Sequence, residues 1–190
     1  IPQGKKREDF WKIFGKQLAS LHRNSAETFG FHQSNYIGSL PQYNNHFSTA
    51  SEFYINQRLE PQIKMVRDNG FKFSGLSNFF KNISEEIPQE KPSLIHGDLW
   101  NGNFLVSENS EPVLIDPAVS FALREMDIGM MHLFGGFNAE LFISYNEVFP
   151  LEKNWHDRLP IWQLYYLLVH LNIFGSGYYN SVADIIKRYC

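Results

Sequence analysis

Three oxygen-bearing side chains lie close to the ends of two short apolar runs. Asp98 lies in a polar loop, Asn103 directly precedes the apolar run 104–107, and Asp116 directly follows the apolar run 113–115. A polar turn separates the two runs, which predicts an antiparallel hairpin. Because paired strands lie about 5 Å apart, the hairpin would bring Asn103 and Asp116 to one place beside Asp98.

The chemistry of these side chains favours a hard cation. An amide oxygen from Asn103 and a carboxylate from Asp116, with a second carboxylate nearby, are ligands suited to Mg²⁺ and phosphate rather than to zinc. The seven histidines of the chain show no zinc-binding spacing. The sequence therefore predicts a magnesium and phosphate site at the end of the hairpin.

The spacing in this stretch resembles that of protein kinases, in which His-Arg-Asp is followed by Asn five residues after the Asp and later by a metal-binding Asp. Here His-Gly-Asp occupies 96–98, Asn103 follows at the same distance, and Asp116 begins Asp-Pro-Ala. The form with Gly in place of Arg is similar to the aminoglycoside and choline phosphotransferases, the small-molecule branch of that superfamily.

The longer string His-Gly-Asp-Leu-Trp-Asn-Gly-Asn at 96–103 resembles more narrowly the fructosamine (ketosamine) kinase family. The segment 121–137, which ends Met-His-Leu-Phe-Gly-Gly-Phe, agrees with that family, as do 29–42 and Gln-Arg-Leu at 57–59. The resemblance extends from about residue 10 to the C-terminus.

This resemblance implies phosphorylation of a sugar hydroxyl by ATP with Mg²⁺, on the 3-hydroxyl of a fructosamine carried by a small molecule or a protein. The phosphorylated adduct is labile, so the implied consequence is deglycation. Asp98 would act as general base and His96 would fix the catalytic loop by hydrogen bonds. Asn103 and Asp116 would hold the magnesium ion.

Four other residues have two interpretations each. Trp100 could pack its ring against the sugar or act as a wedge under the loop. His32 and Gln42 lie in a segment that the family likeness brings toward the substrate, although they could equally solvate a long loop. Asp127 could cap a helix, or its carboxylate could bind the catalytic loop from beneath. His22 is expected to be a core partner at the end of a helix.

The hydrophobic periodicity predicts a mainly α fold with a small β-hairpin, 103–116, and a catalytic loop at 94–103. By resemblance, 1–190 would be one unit, the helical C-terminal lobe of a protein-kinase-like fold. The aromatic residues between 162 and 171 are expected to be core, because that segment is apolar around most of its circumference. Residues 29–45 and 118–124 are predicted to be loops. Helices are predicted over 8–23, from 48 or 51 to 69 with a break or kink at Pro61, and over 75–87, 128–134, 138–149, 159–174 and 178–189.

Several parts of a kinase are not recognisable in the sequence. A Gly-rich phosphate loop and a strand lysine paired with a helix glutamate are expected before residue 8, and neither occurs there. We therefore expect the N-terminal lobe to be absent and the isolated chain to have little or no turnover.

Composition excludes several classes. The net charge of −3 gives no broad nucleic-acid-binding surface. No apolar run reaches the roughly 18–20 residues of a membrane span. A single cysteine, Cys190, rules out an internal disulfide. With no recognisable signal peptide, the expected location is the cytoplasm, and the oligomeric state is left open.

Three other functions compete with a fructosamine kinase. A kinase for an aminoglycoside, choline or related alcohol would share Asp98, Asn103 and Asp116. A non-catalytic lobe that binds a partner or a sugar would explain the lack of phosphate-loop motifs. A metal-dependent phosphohydrolase would need more carboxylates or histidines than this stretch supplies.

Overall fold

The computed structural model describes residues 4–190. Within that range the chain is mainly helical, as the sequence predicts. The α-helices are α1 (Phe10–His22), α2 (Ala50–Phe53), α3 (Glu60–Asp68), α4 (Leu76–Glu86), α5 (Glu125–Phe134), α6 (Ala139–Val148), α7 (Trp155–Phe174) and α8 (Tyr179–Arg188). The strands are β1 (Asn35–Ile37), β2 (Leu40–Gln42), β3 (Ser93–Ile95), β4 (Phe104–Val106), β5 (Pro112–Leu114) and β6 (Ser120–Ala122).

The strands form antiparallel pairs of three residues each. β4 pairs with β5 in the register Phe104–Leu114 and Val106–Pro112, which confirms the predicted hairpin. β1 pairs with β2, and β3 pairs with the distant β6. The structure therefore contains two more sheets than expected within residues 4–190, and the loops predicted over 29–45 and 118–124 are wrong where β1, β2 and β6 form. Three-residue strands carry too little alternation to be found from periodicity.

Two hydrophobic clusters support the fold. One surrounds α7, whose Trp162 and Leu168 are fully buried, and includes side chains from α3, α4 and α8. The other joins α1, α5 and α6 through Phe10, Phe14 and Tyr145. A central, buried α7 was predicted, although it begins four residues earlier than expected, at Trp155.

The helix after residue 48 is capped by the Thr49 side chain. Thr49 accepts the backbone N–H of Glu52, and its hydroxyl donates to the Glu52 carboxylate. Neither Ser48 nor Ser51 is the cap, because only Thr49 has a Glu three residues later. A π-helical segment, Tyr54–Leu59, joins α2 to α3, and Pro61 lies in the first turn of α3, where a missing N–H costs little. Of the helices among residues 4–190, none is long and apolar enough to cross a membrane.

Candidate active site

The loop 96–98 is held from beneath by one buried carboxylate. β3 delivers the chain to His96, and the backbone N–H groups of His96 and Gly97 donate to the two oxygens of Asp127, each at 2.8 Å. Asp127 is fully buried and lies in the first turn of α5, which begins at Glu125. The alternative that Asp127 caps the helix is therefore wrong, and its carboxylate binds the loop instead.

Helix α1 completes this support. Nε2 of His22 lies 3.1 Å from Asp127, and its Nδ1 lies 2.8 Å from the hydroxyl of Tyr145 on α6. Burial alone would raise the pKa of Asp127, but the hydrogen bond with His22, the electrostatic influence of His22 and His96, and the Gly97 amide hold that pKa below its ordinary value. Asp127 is therefore ionised, and the predicted role of His22 as a core partner agrees with these contacts.

Gly97 occupies a position that other residues cannot fill without strain. Its φ is +81°, and a Cβ there would lie 2.1 Å from the carbonyl oxygen of Ala118. Glycine is thus favoured between His96 and Asp98 because the loop passes directly against the segment that follows Asp116.

His96 links the loop to the hairpin. Its Nδ1 accepts the backbone N–H of Asp98 at 3.3 Å, so its Nε2 carries the proton that is donated to the carbonyl of Ile115 at 2.8 Å. Both ring nitrogens therefore have partners inside the protein. The ring ties the residue before Asp116 to the backbone of Asp98.

Asp98 is the titratable centre of the site. Burial raises its pKa to about 6, helped by the charges of Asp127 and Asp116, although His96 and the hydrogen bond from Asn103 oppose the shift. The Asn103 side-chain amide donates to the carbonyl of Asp98 at 2.9 Å and to its carboxylate at 3.2 Å. A carboxyl with such a pKa is poised to exchange a proton near neutral pH.

The hairpin places Asp116 one residue beyond the backbone partner of Asn103. The Ile115 N–H donates to the Asn103 carbonyl at 3.1 Å, so Asp116 directly follows the residue paired with Asn103. Asp116 has φ of +51° and is exposed, in contrast with the buried Asn103. Both donor contacts of Asn103 go to Asp98, so its amide oxygen points elsewhere. An amide oxygen and an exposed carboxylate fit a hard cation such as Mg²⁺.

A cavity of about 320 Å³ lies beside Asp98. Its walls come from α5, from α7, from Trp100 and from the turn between β1 and β2. The surface is mostly apolar, with few polar groups, as in many small-molecule sites. Besides Asp98 and Trp100, the cavity is lined by Ile37, Gly38, Met130, Phe134, Tyr166, Val169, His170, Ile173 and Phe174.

Trp100 lies at the rim of this cavity and is 40% exposed. A Cβ on Gly102 would lie 2.3 Å from its ring, so the glycine makes the space in which the indole lies. The ring is thus packed on one side by the loop while it still borders the cavity. The two readings of Trp100, as a wedge and as a sugar-facing ring, are compatible with one position.

His32 and Gln42 do not line this cavity. His32 is exposed and its ring lies 4.3 Å from that of Phe31. Gln42 is buried, donates to the carbonyl of Ala118 at 2.9 Å and accepts from Tyr165 at 2.8 Å. Its hydrogen bonds instead hold the segment after Asp116, so the substrate roles assigned to these two residues receive no support from the geometry.

Sequence reasoning missed most of the cavity wall. Tyr166, His170 and Phe174 were grouped with core aromatics or left unassigned, and the turn at Ile37 was taken as loop. The α7 positions 166, 169, 170, 173 and 174 have helical spacing, which the sequence shows. The sequence does not show that this face of α7 is open at Phe174, which is 65% exposed in the structure.

Comparisons with known proteins agree on one family. The family model described as fructosamine kinase matches residues 1–190. A protein of Enterococcus faecium named "Probable ketoamine kinase" is 42% identical over 178 residues, which cover 90% of this chain and 64% of the relative. The chloroplastic protein-ribulosamine 3-kinase of Arabidopsis thaliana is 36% identical over 187 residues, covering 92% of this chain and 56% of that protein.

A solved structure shows the same fold. The crystal structure of a protein from Thermobifida fusca, named as a fructosamine-3-kinase, superposes with a TM-score of 0.91 and 36% identity, covering 98% of this chain and 67% of that one. The chain spans about 64% of the first of the curated relatives above. These coverages do not support the expectation that an N-terminal lobe is absent. The chain belongs to the fructosamine kinase family.

Proposed function

We propose that the protein containing this chain transfers the γ-phosphoryl group of ATP to a hydroxyl of a ketosamine, such as the 3-hydroxyl of a fructosamine. The observation that carries the proposal is that Asp98, which accepts a hydrogen bond from Asn103, lines a 320 Å³ cavity in a chain of this family. Relatives named for ketoamine and ribulosamine substrates favour a ketosamine over an aminoglycoside or choline. The cytoplasm remains the expected location.

In this reaction the sugar hydroxyl oxygen forms a bond to the γ-phosphorus, and the bond from that phosphorus to the β–γ bridging oxygen breaks to release ADP. Asp98 accepts the hydroxyl proton, for which its pKa of about 6 leaves it ionised at neutral pH. His96 and Asp127 keep the loop in place without taking part in the reaction. Asn103 orients the Asp98 carboxylate through the 3.2 Å hydrogen bond.

Asn103 and Asp116 are the residues that would hold Mg²⁺. When bound, the ion would neutralise negative charge on the phosphates of ATP. The fit rests on the donor set, since an amide oxygen and a carboxylate are hard ligands.

The apolar cavity suits the part of the substrate that carries no charge. Trp100 borders it beside Asp98 and offers a ring face to a sugar. The exposed rings of Phe134 and Phe174 also line the cavity and would meet the group on the ketosamine nitrogen. Deglycation would follow from the lability of the phosphorylated adduct.

The direct test supplies the whole protein, as its gene encodes it, with ATP, magnesium and a fructosyl-lysine analogue. We expect phosphorylation of the sugar, a fall of about 10²- to 10⁴-fold in turnover for Asp98→Ala, and an acidic limb in kcat/KM near the pKa of Asp98, about 6. Undiminished phosphorylation by Asp98→Ala would remove that residue from its role.

A substrate panel separates the alternatives. Aminoglycosides and choline, tested beside the ketosamine, should be poor substrates. Residues 1–190 alone, which contain neither a Gly-x-Gly-x-x-Gly motif nor a Walker-type phosphate loop, are expected to turn over far below the roughly 1–100 per second of ordinary kinases.

A further inference from the structure

One buried polar group in the cavity wall lacks a partner. The hydroxyl of Tyr166, a residue only 1% exposed, makes no hydrogen bond to any group among residues 4–190. The other fully buried tyrosines of the core differ. Tyr54 donates to the carbonyl of Ile161, Tyr165 donates to Gln42, and Tyr145 pairs with His22. Because an unsatisfied buried hydroxyl is costly, an unpaired one on a residue that lines a cavity points to a ligand.

The position of Tyr166 relates it to the candidate base. Both Tyr166 and Asp98 line the same cavity. Burial raises the pKa of Tyr166 well above its ordinary value, and the negative charges of Asp127 and Asp98 add to that effect. The phenol is therefore a neutral hydroxyl that can donate or accept a hydrogen bond, within the electrostatic reach of Asp98.

The surroundings define the chemistry of the ligand. Among the described residues that line the cavity, none is Lys or Arg, so this wall is not built to hold a phosphate. Met130 and Val169 line the same cavity as Tyr166 and are apolar. A neutral oxygen, such as a sugar hydroxyl, satisfies a phenol in such a setting.

We infer that the Tyr166 hydroxyl binds a sugar hydroxyl of the substrate, one adjacent to the hydroxyl that faces Asp98. The inference rests on the proposed function for the identity of the sugar. Tyr166 then fixes the rotation of the sugar about the axis from the cavity mouth to Asp98, and so selects which hydroxyl reaches the base. It is a specificity-determining residue, with no part in the proton transfer.

The test replaces only the unpaired oxygen. In Tyr166→Phe no internal hydrogen bond is lost, so Tm should be unchanged or slightly higher. Binding of a fructosyl-lysine analogue, measured by calorimetry without ATP, should weaken about three- to tenfold, while KM for ATP stays the same. The matched control is Tyr165→Phe, which removes an equally buried hydroxyl that donates to Gln42, and should lower Tm.

A set of monodeoxy ketosamines identifies the bound hydroxyl. Removing one hydroxyl, other than the 3-hydroxyl, should weaken binding to the native protein but make no difference to Tyr166→Phe. The inference is overturned if Tyr166→Phe binds every analogue as the native protein does, or if its loss of binding comes with a fall in Tm like that of Tyr165→Phe. Because this readout is binding, it is separate from the proposed function, which fails if the native protein binds the ketosamine and never phosphorylates it.

Discussion

The catalytic loop and the cavity wall beside it satisfy their polar groups in opposite ways. In the loop, the amides of His96 and Gly97 and both ring nitrogens of His96 are paired inside the protein. Along the wall, the Tyr166 hydroxyl has no partner within residues 4–190, and the rings of Phe134 and Phe174 are open to solvent. These polar groups of the loop have their hydrogen-bond partners without a ligand, whereas the Tyr166 hydroxyl of the wall has none among residues 4–190.

This difference separates two tasks. A group that accepts a proton must be held in one geometry before the substrate arrives, so its supports are internal and rigid. A surface that recognises a substrate must leave its binding groups available. Changes to the loop should therefore affect both stability and turnover, and changes to the wall should affect binding with little effect on stability.

The largest expected loss of stability comes from removing the Asp127 carboxylate that supports the catalytic loop. Asp127→Ala removes the acceptor of two buried amides and the partner of His22, and should lower the free energy of unfolding by about 3 to 5 kcal/mol. Denaturant unfolding measures it. Asp68→Ala is the matched control, since that exposed carboxylate pairs with Lys64 on the same helix and its loss should cost far less. Equal losses in the two variants would contradict the assignment.

The next effect isolates the close approach at Gly97. Gly97→Ala combines a left-handed backbone with a clash against Ala118, and should cost about 2 to 5 kcal/mol. Gly70→Ala shares the positive φ but meets nothing within 4 Å, and should cost only about 1 to 2 kcal/mol. Thermal unfolding of both variants gives the difference. A larger loss for Gly70→Ala would mean that the loop does not lie against residue 118.

A smaller expected effect is a gain in stability rather than a loss. Because the pKa of Asp98 is raised to about 6 in the folded protein, ionising it costs stability as pH rises from about 4, its unfolded value, through 6. Asp98→Asn should therefore stabilise the protein above pH 6 by about 1 to 3 kcal/mol, and the gain should vanish below pH 4. Unfolding measured across this range tests it, and a gain that does not depend on pH would exclude this cause.

The smallest effect is at the rim of the wall. Phe174→Ser should raise KM for ketosamines with an apolar amine substituent by about two- to fivefold and leave Tm nearly unchanged. Ile143→Ser removes a similarly exposed apolar side chain, 60% against 65%, from outside the cavity lining. It should leave KM unaltered. A rise in KM for both variants would point to a general surface effect.

The same contrast explains what the sequence could predict. Asp98, Asn103 and the hairpin were found because their spacing is local and the strands follow one another directly. The role of Asp127 remained open, because its partners are 30 and 31 residues away. The wall was missed because Tyr166 has the same helical spacing as core neighbours such as Tyr165, and burial patterns do not distinguish a side chain that packs from one that borders a cavity. Long-range pairings such as β3 with β6 leave no local signal.

The Asp127 carboxylate has a consequence for how the active loop forms. One of its oxygens contacts the His22 ring of α1, and α1 packs on α6. The acceptor of the two consecutive amides is therefore held by elements that lie between residues 10 and 148. The His96 and Gly97 amide protons should therefore exchange with deuterium only when these elements separate, and slowly compared with the amide protons of exposed loops.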